Sequence, residues 1–226
     1  MKKIDRYTKK MFGLPRGINS SGNIQTLKIL KKKINILNIK YFKKRKVFDW
    51  EVPLRWSLVD GYISDIDNNK KLIDCKKNLL HIVQNSENIN KTVSKEKLFK
   101  HLYFQKEKPN SIPYVTSYYK KRWGFCIKYN DLKKFNKKKY FVKIKAVNKN
   151  KPMPYGEIFI KGRSKKTIYL TTYICHPNLA NDNLSGILML SNLVRHLKSE
   201  SKKKHLNYSF CILFISETIG SMLYIN

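Results

Sequence analysis

The sequence predicts an α/β protein with a second, mainly β domain inserted into the chain. Segments 166–174, 184–198 and 209–216 follow one another as strand, helix and strand, and a crossover of this length favours a parallel strand pair with a helix on one face. The last segment, SFCILFIS, is apolar on both faces, as a central buried strand is. Between about residues 47 and 137, aromatic and β-favouring residues replace helical periodicity.

The first predicted element lies within residues 14–40, which begin as a Pro/Gly/Ser loop and continue as a helix. Apolar residues recur there every three or four positions, at Ile24, Leu27, Leu30, Ile34 and Leu37. Ser20, Ser21 or Asn23 could cap this helix, because their side chains accept hydrogen bonds from the first turn.

The residue pattern in the middle of the chain predicts short strands. A hairpin is expected around residues 67–69, and the inserted domain is expected to have its own small core. We expect that core to contain four aromatic residues, Trp50, Trp56, Tyr118 and Trp123. Residues 140–147 alternate as a half-buried strand should, and residues 156–162 are expected to be its hairpin partner.

The predicted domains are therefore residues 1–46 with 138–226, which form the α/β sheet, and residues 47–137, which form the insertion. There is no run long enough to cross a bilayer, and the basic segment 1–10 is followed by no signal-peptide core. A cytoplasmic protein is expected. The four cysteines are scattered, which argues against zinc-finger and disulfide-framework classes.

The formal net charge of +33 suggests nucleic acid as a partner. Only seven of the 48 basic residues are arginine, however, and Asn and Ile are abundant. Drift in an AT-rich genome explains such a composition better than a specific nucleic-acid site, which favours arginine.

Three polar residues follow the two central strands: His176 and Asp182 after the first, and Glu217 after the second. Neighbouring parallel strands bring such ends together, so we expect the three side chains to share one cleft, with Glu217 slightly further back. Imidazole and carboxylate are zinc ligands, and a nearby carboxylate can act as general base. Taken singly, each residue has an ordinary explanation: a loop histidine bonded to a carbonyl, an N-cap aspartate and a first-turn glutamate.

Several long motifs occur in an order that resembles a known family. They are LPRGINSSGNIQTLKIL, VFDWEVPLRW, NLLHIVQNS, HLYFQKEKPNSIPYVTSYYKKRWGFC, YGEIFIKG, ICHPNLANDNLSG and ETIGS. The chain resembles bacterial aminopeptidase-like proteins of the zinc-dependent exopeptidase superfamily, in a group associated with polysaccharide biosynthesis that carries a nested domain of unknown function. The resemblance implies an incomplete zinc-exopeptidase-like sheet with helices on its faces. It also implies that His176 and Asp182 bind zinc and that Glu217 is the catalytic base.

Two positions depart from the pattern of zinc aminopeptidases. Thr218 stands where they have a second acidic ligand, and Asn178 stands where they have the aspartate that orients the histidine. Relatives also continue past the position of Asn226 with further ligands, so the chain is expected to be an amino-terminal fragment. Weak or no zinc binding and no measurable aminopeptidase activity are expected from it.

Three functions follow from these observations. The first is metal-dependent hydrolysis of a peptide or small-molecule amide. The second is a non-catalytic scaffold or binding protein in surface-polysaccharide biosynthesis, and the third is a basic nucleic-acid binder. Metal content separates the first from the others, and a steep salt dependence would single out the third. The sequence leaves the oligomeric state open.

Overall fold

The computed structural model describes residues 6–226, so residues 1–5 of the first predicted domain segment lie outside the described residues. The chain forms two compact units. The first consists of the residues up to Arg55 together with Lys149–Asn226, and the second of Trp56–Asn148. Both boundaries lie later in the chain than the predicted ones, at residues 46/47 and 137/138. Among the described residues, no helix has the length and apolar character that a membrane span requires.

The described residues contain five α-helices and twelve strands. The helices are α1 (Arg6–Phe12), α2 (Ser21–Lys33), α3 (Lys95–Phe99), α4 (Ser185–Lys203) and α5 (Ile219–Ile225). The strands are β1 (Asn38–Tyr41), β2 (Lys46–Val47), β3 (Trp50–Glu51), β4 (Arg55–Asp65), β5 (Lys71–Asp74), β6 (Ile89–Ser94), β7 (Leu102–Tyr103), β8 (Phe125–Cys126), β9 (Lys139–Lys149), β10 (Pro154–Ile160), β11 (Thr167–Tyr173) and β12 (Ser209–Ile215). Two 3₁₀ turns, Leu79–His81 and Tyr129–Lys134, and a π-helical turn, Ala180–Leu184, complete the secondary structure.

The first unit is built on a four-stranded sheet in the order β1-β10-β12-β11. Strands β11 and β12 are parallel, and Thr167 lies opposite Ser209 and Tyr173 opposite Ile215. The predicted parallel pair is therefore confirmed, with α4 as the crossover helix. Strand β10 is antiparallel to both β1 and β12, which makes the sheet mixed.

The core of the first unit joins the sheet to α2 and α4. Its fully buried residues include Leu27 and Leu30 from α2, Ile187 and Val194 from α4, and Phe214 from β12. Helix α2 begins where the sequence places it, because the Ser20 hydroxyl accepts a hydrogen bond from the Asn23 N–H at 3.3 Å. The predicted α/β class is confirmed.

The second unit contains a four-stranded sheet in the order β5-β4-β9-β6. Strands β4 and β5 pair antiparallel, with Ile63 opposite Ile73, as the predicted hairpin requires. The expected pairing of residues 140–147 with residues 156–162 is wrong. Strand β9 instead lies between β4 and β6, whereas β10 belongs to the first sheet.

The observed strand pairing explains why both boundaries between the units lie later in the chain than the predicted ones. Strands β2 and β3 belong to the first unit, so the second unit begins only with β4. Strand β9 pairs within the second sheet, so the second unit continues almost to the end of that strand. Trp56 and Tyr140 are fully buried in the core of that unit, and Trp123 packs against it. Trp50, in contrast, belongs to β3 in the first unit.

Candidate metal centre

The centre of interest is the carboxyl edge of the β11–β12 pair. His176 comes three residues after the end of β11, and Glu217 comes two residues after the end of β12. Since the two strands are parallel and in register, both loops leave the sheet at the same edge. The His176 backbone has a φ of 73°, a left-handed conformation that is uncommon for residues other than glycine and that clusters at functional sites.

The three predicted side chains converge. The His176 Nε2 atom lies 2.9 Å from the Glu217 Oε2 atom and 3.7 Å from the Asp182 Oδ2 atom. Glu217 follows the neighbouring strand directly and is closer to the imidazole than Asp182 is, and its expected place slightly further back from a metal stays a prediction. The His176 side chain is only 5% exposed, whereas those of Asp182 and Glu217 are 50% and 41% exposed. The imidazole is therefore fixed in the protein, and both carboxylates can reach a ligand from solvent.

The Asp182 loop is held by its neighbour, Asn183. The Asn183 amide donates to the Thr172 hydroxyl at 2.8 Å and to the Tyr173 carbonyl at 3.2 Å, both on β11. Gly186 is required beside it, since a Cβ atom there would lie 2.3 Å from the Asn183 Oδ1 atom. These contacts place the turn that carries Asp182 over the strand that leads to His176.

The hydrogen-bonding capacity of the Asp182 carboxylate is only partly used. Its Oδ1 atom is buried and has no hydrogen-bond partner among the described residues. The pKa of Tyr173 is raised, chiefly by desolvation and next by a hydrogen bond with this carboxylate. An imidazole nitrogen with carboxylate oxygens of two residues within 3.7 Å of it is a donor set that suits a cation such as zinc.

Sequence reasoning missed Arg16. Its side chain is completely buried, and its Nε, Nη1 and Nη2 atoms have no hydrogen-bond partner among the described residues. Burial lowers the pKa of Arg16 to about 10, while the Cys175 and Asp182 side chains raise it. At neutral pH it therefore remains a cation beside the Asp182 carboxylate. Arginine is scarce among the 48 basic residues, and this scarcity is the feature of the sequence that could have singled out Arg16.

Sequence reasoning also missed Cys175, which precedes His176. It is a free thiol and fully buried. One donor atom from each of Cys175, His176 and Glu217 can be chosen so that all three lie within 4.8 Å of one another. Burial raises the pKa of the Cys175 thiol to about 12. The signal in the sequence was its position beside the candidate ligand.

A second group of potential ligands lies in the second unit, formed by Asp60, Asp74 and Cys75. There, Lys143 pairs with Asp60 at 3.2 Å, and Lys71 pairs with Asp74 at 3.2 Å. Since a lysine already neutralises each carboxylate, this group suits a cation less well than the group around His176.

A buried polar network fixes the segment that carries Arg16. The Asn23 amide nitrogen donates to the Gly17 carbonyl at 2.6 Å and to the Ser216 hydroxyl at 3.3 Å. The Ser216 hydroxyl in turn donates to the Ile18 carbonyl at 2.6 Å. The network therefore joins this segment to the residue next to Glu217.

We expect Arg16→Met to raise the free energy of unfolding of the first unit by about 1–3 kcal/mol, the cost of burying a polar group without a hydrogen-bond partner. The reason is that the guanidinium loses its hydration on folding without gaining hydrogen bonds from the described residues. Urea denaturation measures the change, and hydrogen exchange of β12 amides assigns it to the first unit. Arg163→Met, at a position outside the buried core, is the control. A destabilised Arg16→Met variant would show that the guanidinium is well paired in the protein.

Comparison with known proteins adds the family context. A model of a family described as "Domain of unknown function (DUF4910)" matches residues 6–226. A protein of Clostridium acetobutylicum, named as a polysaccharide biosynthesis protein with aminopeptidase-like domain, is 35% identical over 223 residues. The match covers 99% of this chain and 50% of that protein, so the chain spans about half the length of this relative.

Solved structures show the same fold. A crystal structure of a Clostridium acetobutylicum protein named as a peptidase has a TM-score of 0.89 at 35% identity, covering 97% of this chain and 51% of that one. A zinc aminopeptidase from Bacillus subtilis has a TM-score of 0.55 at 12% identity, covering 97% of this chain and 64% of that one. The resemblance to aminopeptidase-like proteins is confirmed, and the second likeness shows the fold alone.

Proposed function

Because this chain belongs to the DUF4910 family, whose fold here is that of the aminopeptidase-like proteins, we propose that it carries the metal centre of a metallohydrolase. His176 and Asp182 bind zinc, Glu217 is the general base, and the substrate is a peptide or another small amide. One observation carries the proposal: the His176 Nε2 atom has carboxylate oxygens at 2.9 and 3.7 Å at the carboxyl edge of the parallel strands.

Each residue has a distinct task in this proposal. The buried His176 imidazole supplies a neutral nitrogen ligand, and Asp182 supplies an anionic oxygen. A zinc ion held by His176 and Asp182 would supply Lewis acidity to the amide carbonyl and to the attacking water. Glu217 takes the proton of the attacking water at a carboxylate oxygen and returns it to the nitrogen of the departing amine. Its side chain is 41% exposed, so substrate and water can reach it.

The name of the Clostridium acetobutylicum relative supports a further part of the proposal, a role in polysaccharide biosynthesis. We propose a reducing, cytoplasmic setting as well, because all four cysteines are free thiols and buried. Without metal binding, the same family membership would instead favour a scaffold or binding protein in that process.

The role of Glu217 is tested with Glu217→Gln, and with Glu51→Gln at an exposed position as the matched control. We expect zinc affinity, measured by calorimetry, to fall by no more than about 100-fold in Glu217→Gln and to stay unchanged in Glu51→Gln. Affinity is the first readout because it does not depend on whether this 226-residue chain turns over a substrate. Any hydrolysis of aminoacyl-coumarin amides that the wild-type chain shows should fall by about 10²–10⁴-fold in Glu217→Gln alone. A loss of zinc affinity of more than about 100-fold in Glu217→Gln, beyond what loss of a residue that supports a ligand costs, would show that Glu217 is itself a ligand, and the assignment of the base would be withdrawn.

A further inference from the structure

We propose that the outer edge of β11 pairs with the β11 edge of a second copy of this chain, so that two four-stranded sheets join into one continuous sheet. The pairing is antiparallel, and its two-fold axis passes beside Leu170. Among the described residues, no strand pairs with this edge of β11. The proposal is independent of the proposed metal centre, because it rests on the edge of the sheet and not on any ligand.

The two edges of the first sheet differ in how they are protected. The β1 edge is four residues long and carries Lys40, which pairs with Glu157. The β11 edge is seven residues long, TIYLTTY, and has no charged residue and no proline. Short strands, charged residues and prolines are the usual means by which proteins keep edge strands from pairing. The Asn183 amide takes up the Tyr173 carbonyl, which leaves residues 168–172 open to another strand.

Apolar side chains are exposed on both faces of this edge. Tyr169 is 59% exposed on one face, and Ile168 is 39% exposed on the other. A strand added to the edge removes both side chains from water, and burial of apolar surface is the main driving force of protein association. The edge therefore offers apolar contacts as well as backbone hydrogen bonds.

The sequence of β11 fits a second copy of itself. When two copies pair antiparallel around Leu170, Tyr169 of each copy lies opposite Thr171 of the other, and Ile168 lies opposite Thr172. Aromatic and β-branched residues are favourable cross-strand partners. A two-fold contact of this kind is closed, so it gives a dimer and not a fibre.

Charges at the two ends of β11 favour the antiparallel arrangement. Lys165 and Lys166 are exposed just before its amino end, whereas the partly exposed carboxylates of Asp182 and Glu217 lie at the carboxyl edge. Antiparallel pairing places the basic end of each copy beside the acidic end of the other, and such complementarity fixes the orientation of two partners. The formal net charge of +33 opposes association of two copies, but charges separated by more than about 8 Å are largely screened at physiological salt.

Sedimentation equilibrium of the whole 226-residue chain at physiological salt tests the proposal. The wild type should form a dimer that dissociates on dilution. Thr171→Lys should weaken dimerisation by at least about 10-fold, because a like charge from each copy enters the paired edge. Phe159→Lys is the matched control and should dimerise as the wild type does. Phe159 is 58% exposed on the same face as Tyr169, since both lie opposite Cys211, but it belongs to the central strand β10.

Disulfide formation tests the register of the two strands. Leu170→Cys should give a covalent dimer on mild oxidation, because directly opposite residues have Cβ atoms about 4.5–5.5 Å apart. Thr171→Cys should not, because two residues of stagger add about 7 Å along the strand and exceed the reach of a disulfide. The four native cysteines are buried, so both variants carry the same unreactive background.

Three outcomes would overturn the proposal. A wild type that is monomeric at every concentration would leave the edge to a strand of a different protein. A dimer that Thr171→Lys leaves unchanged, or that Phe159→Lys weakens equally, would show that another surface holds the copies together. Covalent dimers of Thr171→Cys without those of Leu170→Cys would exclude the antiparallel pairing around Leu170. If Thr171→Lys does not fold, this cross-linking pattern still decides.

Discussion

Replacing His176 with alanine should abolish detectable zinc binding by this chain. The His176 imidazole is the one nitrogen donor of the proposed centre, and two carboxylates lie within 3.7 Å of it. Loss of a residue that only supports a ligand commonly costs 10–100-fold in metal affinity, so loss of the ligand itself should lower affinity by more than about 100-fold. Isothermal titration with zinc measures the change.

His205→Ala is the matched control, because His205 is an exposed histidine in the same unit. It should bind zinc with the same affinity as the wild type. Equal losses in the two variants would point to adventitious surface binding, and an unchanged His176→Ala would exclude this histidine as a ligand.

Asn23→Ala should produce the largest loss of stability among polar substitutions in the first unit, about 3 kcal/mol or more. The Asn23 side chain is fully buried, donates to the Gly17 and Ile18 carbonyls and accepts from the Gly17 N–H. Each buried partner left unsatisfied costs about 1–3 kcal/mol, and several are lost at once. Urea denaturation gives the free energy of unfolding, and hydrogen exchange of β12 amides shows which unit opens.

Asn38→Ala, at an exposed position of β1, should change stability by no more than about 0.5 kcal/mol. If Asn23→Ala is no worse than this control, water must replace the lost hydrogen bonds. The loop that carries Arg16 would then be held by something other than this network.

Strong local patterns in the sequence were enough to predict the frame of the first unit. The apolar run of β12 and the crossover length fix a parallel pair, and Ser20 marks the start of α2 because its hydroxyl satisfies a free N–H of the first turn. Strand ends that share one edge then bring His176 and Glu217 together. The pairing between distant strands was predicted less well. Alternation of apolar and polar residues identifies β9 as a strand, but it does not show which strands pair with it.

Cys175 and Arg16, the two residues near the candidate site that the sequence did not reveal, were missed for the same physical reason. Cys175 looks like an ordinary buried cysteine, and only the position of its sulfur within 4.8 Å of donor atoms of His176 and Glu217 distinguishes it. Arg16 looks like one more basic residue among 48, and only its complete burial next to Cys175 and Asp182 distinguishes it. Both properties depend on contacts between distant segments, which spacing along the chain does not encode.

Anomalous diffraction at the zinc edge, from crystals of the zinc-loaded chain, tests the central claim most directly. The account predicts a peak at about 2.0–2.2 Å from the His176 Nε2 atom and from an Asp182 carboxylate oxygen, with Glu217 beside it. A peak on the lysine-paired carboxylates Asp60 and Asp74, or no peak at a site that remains accessible in the crystal, would contradict it.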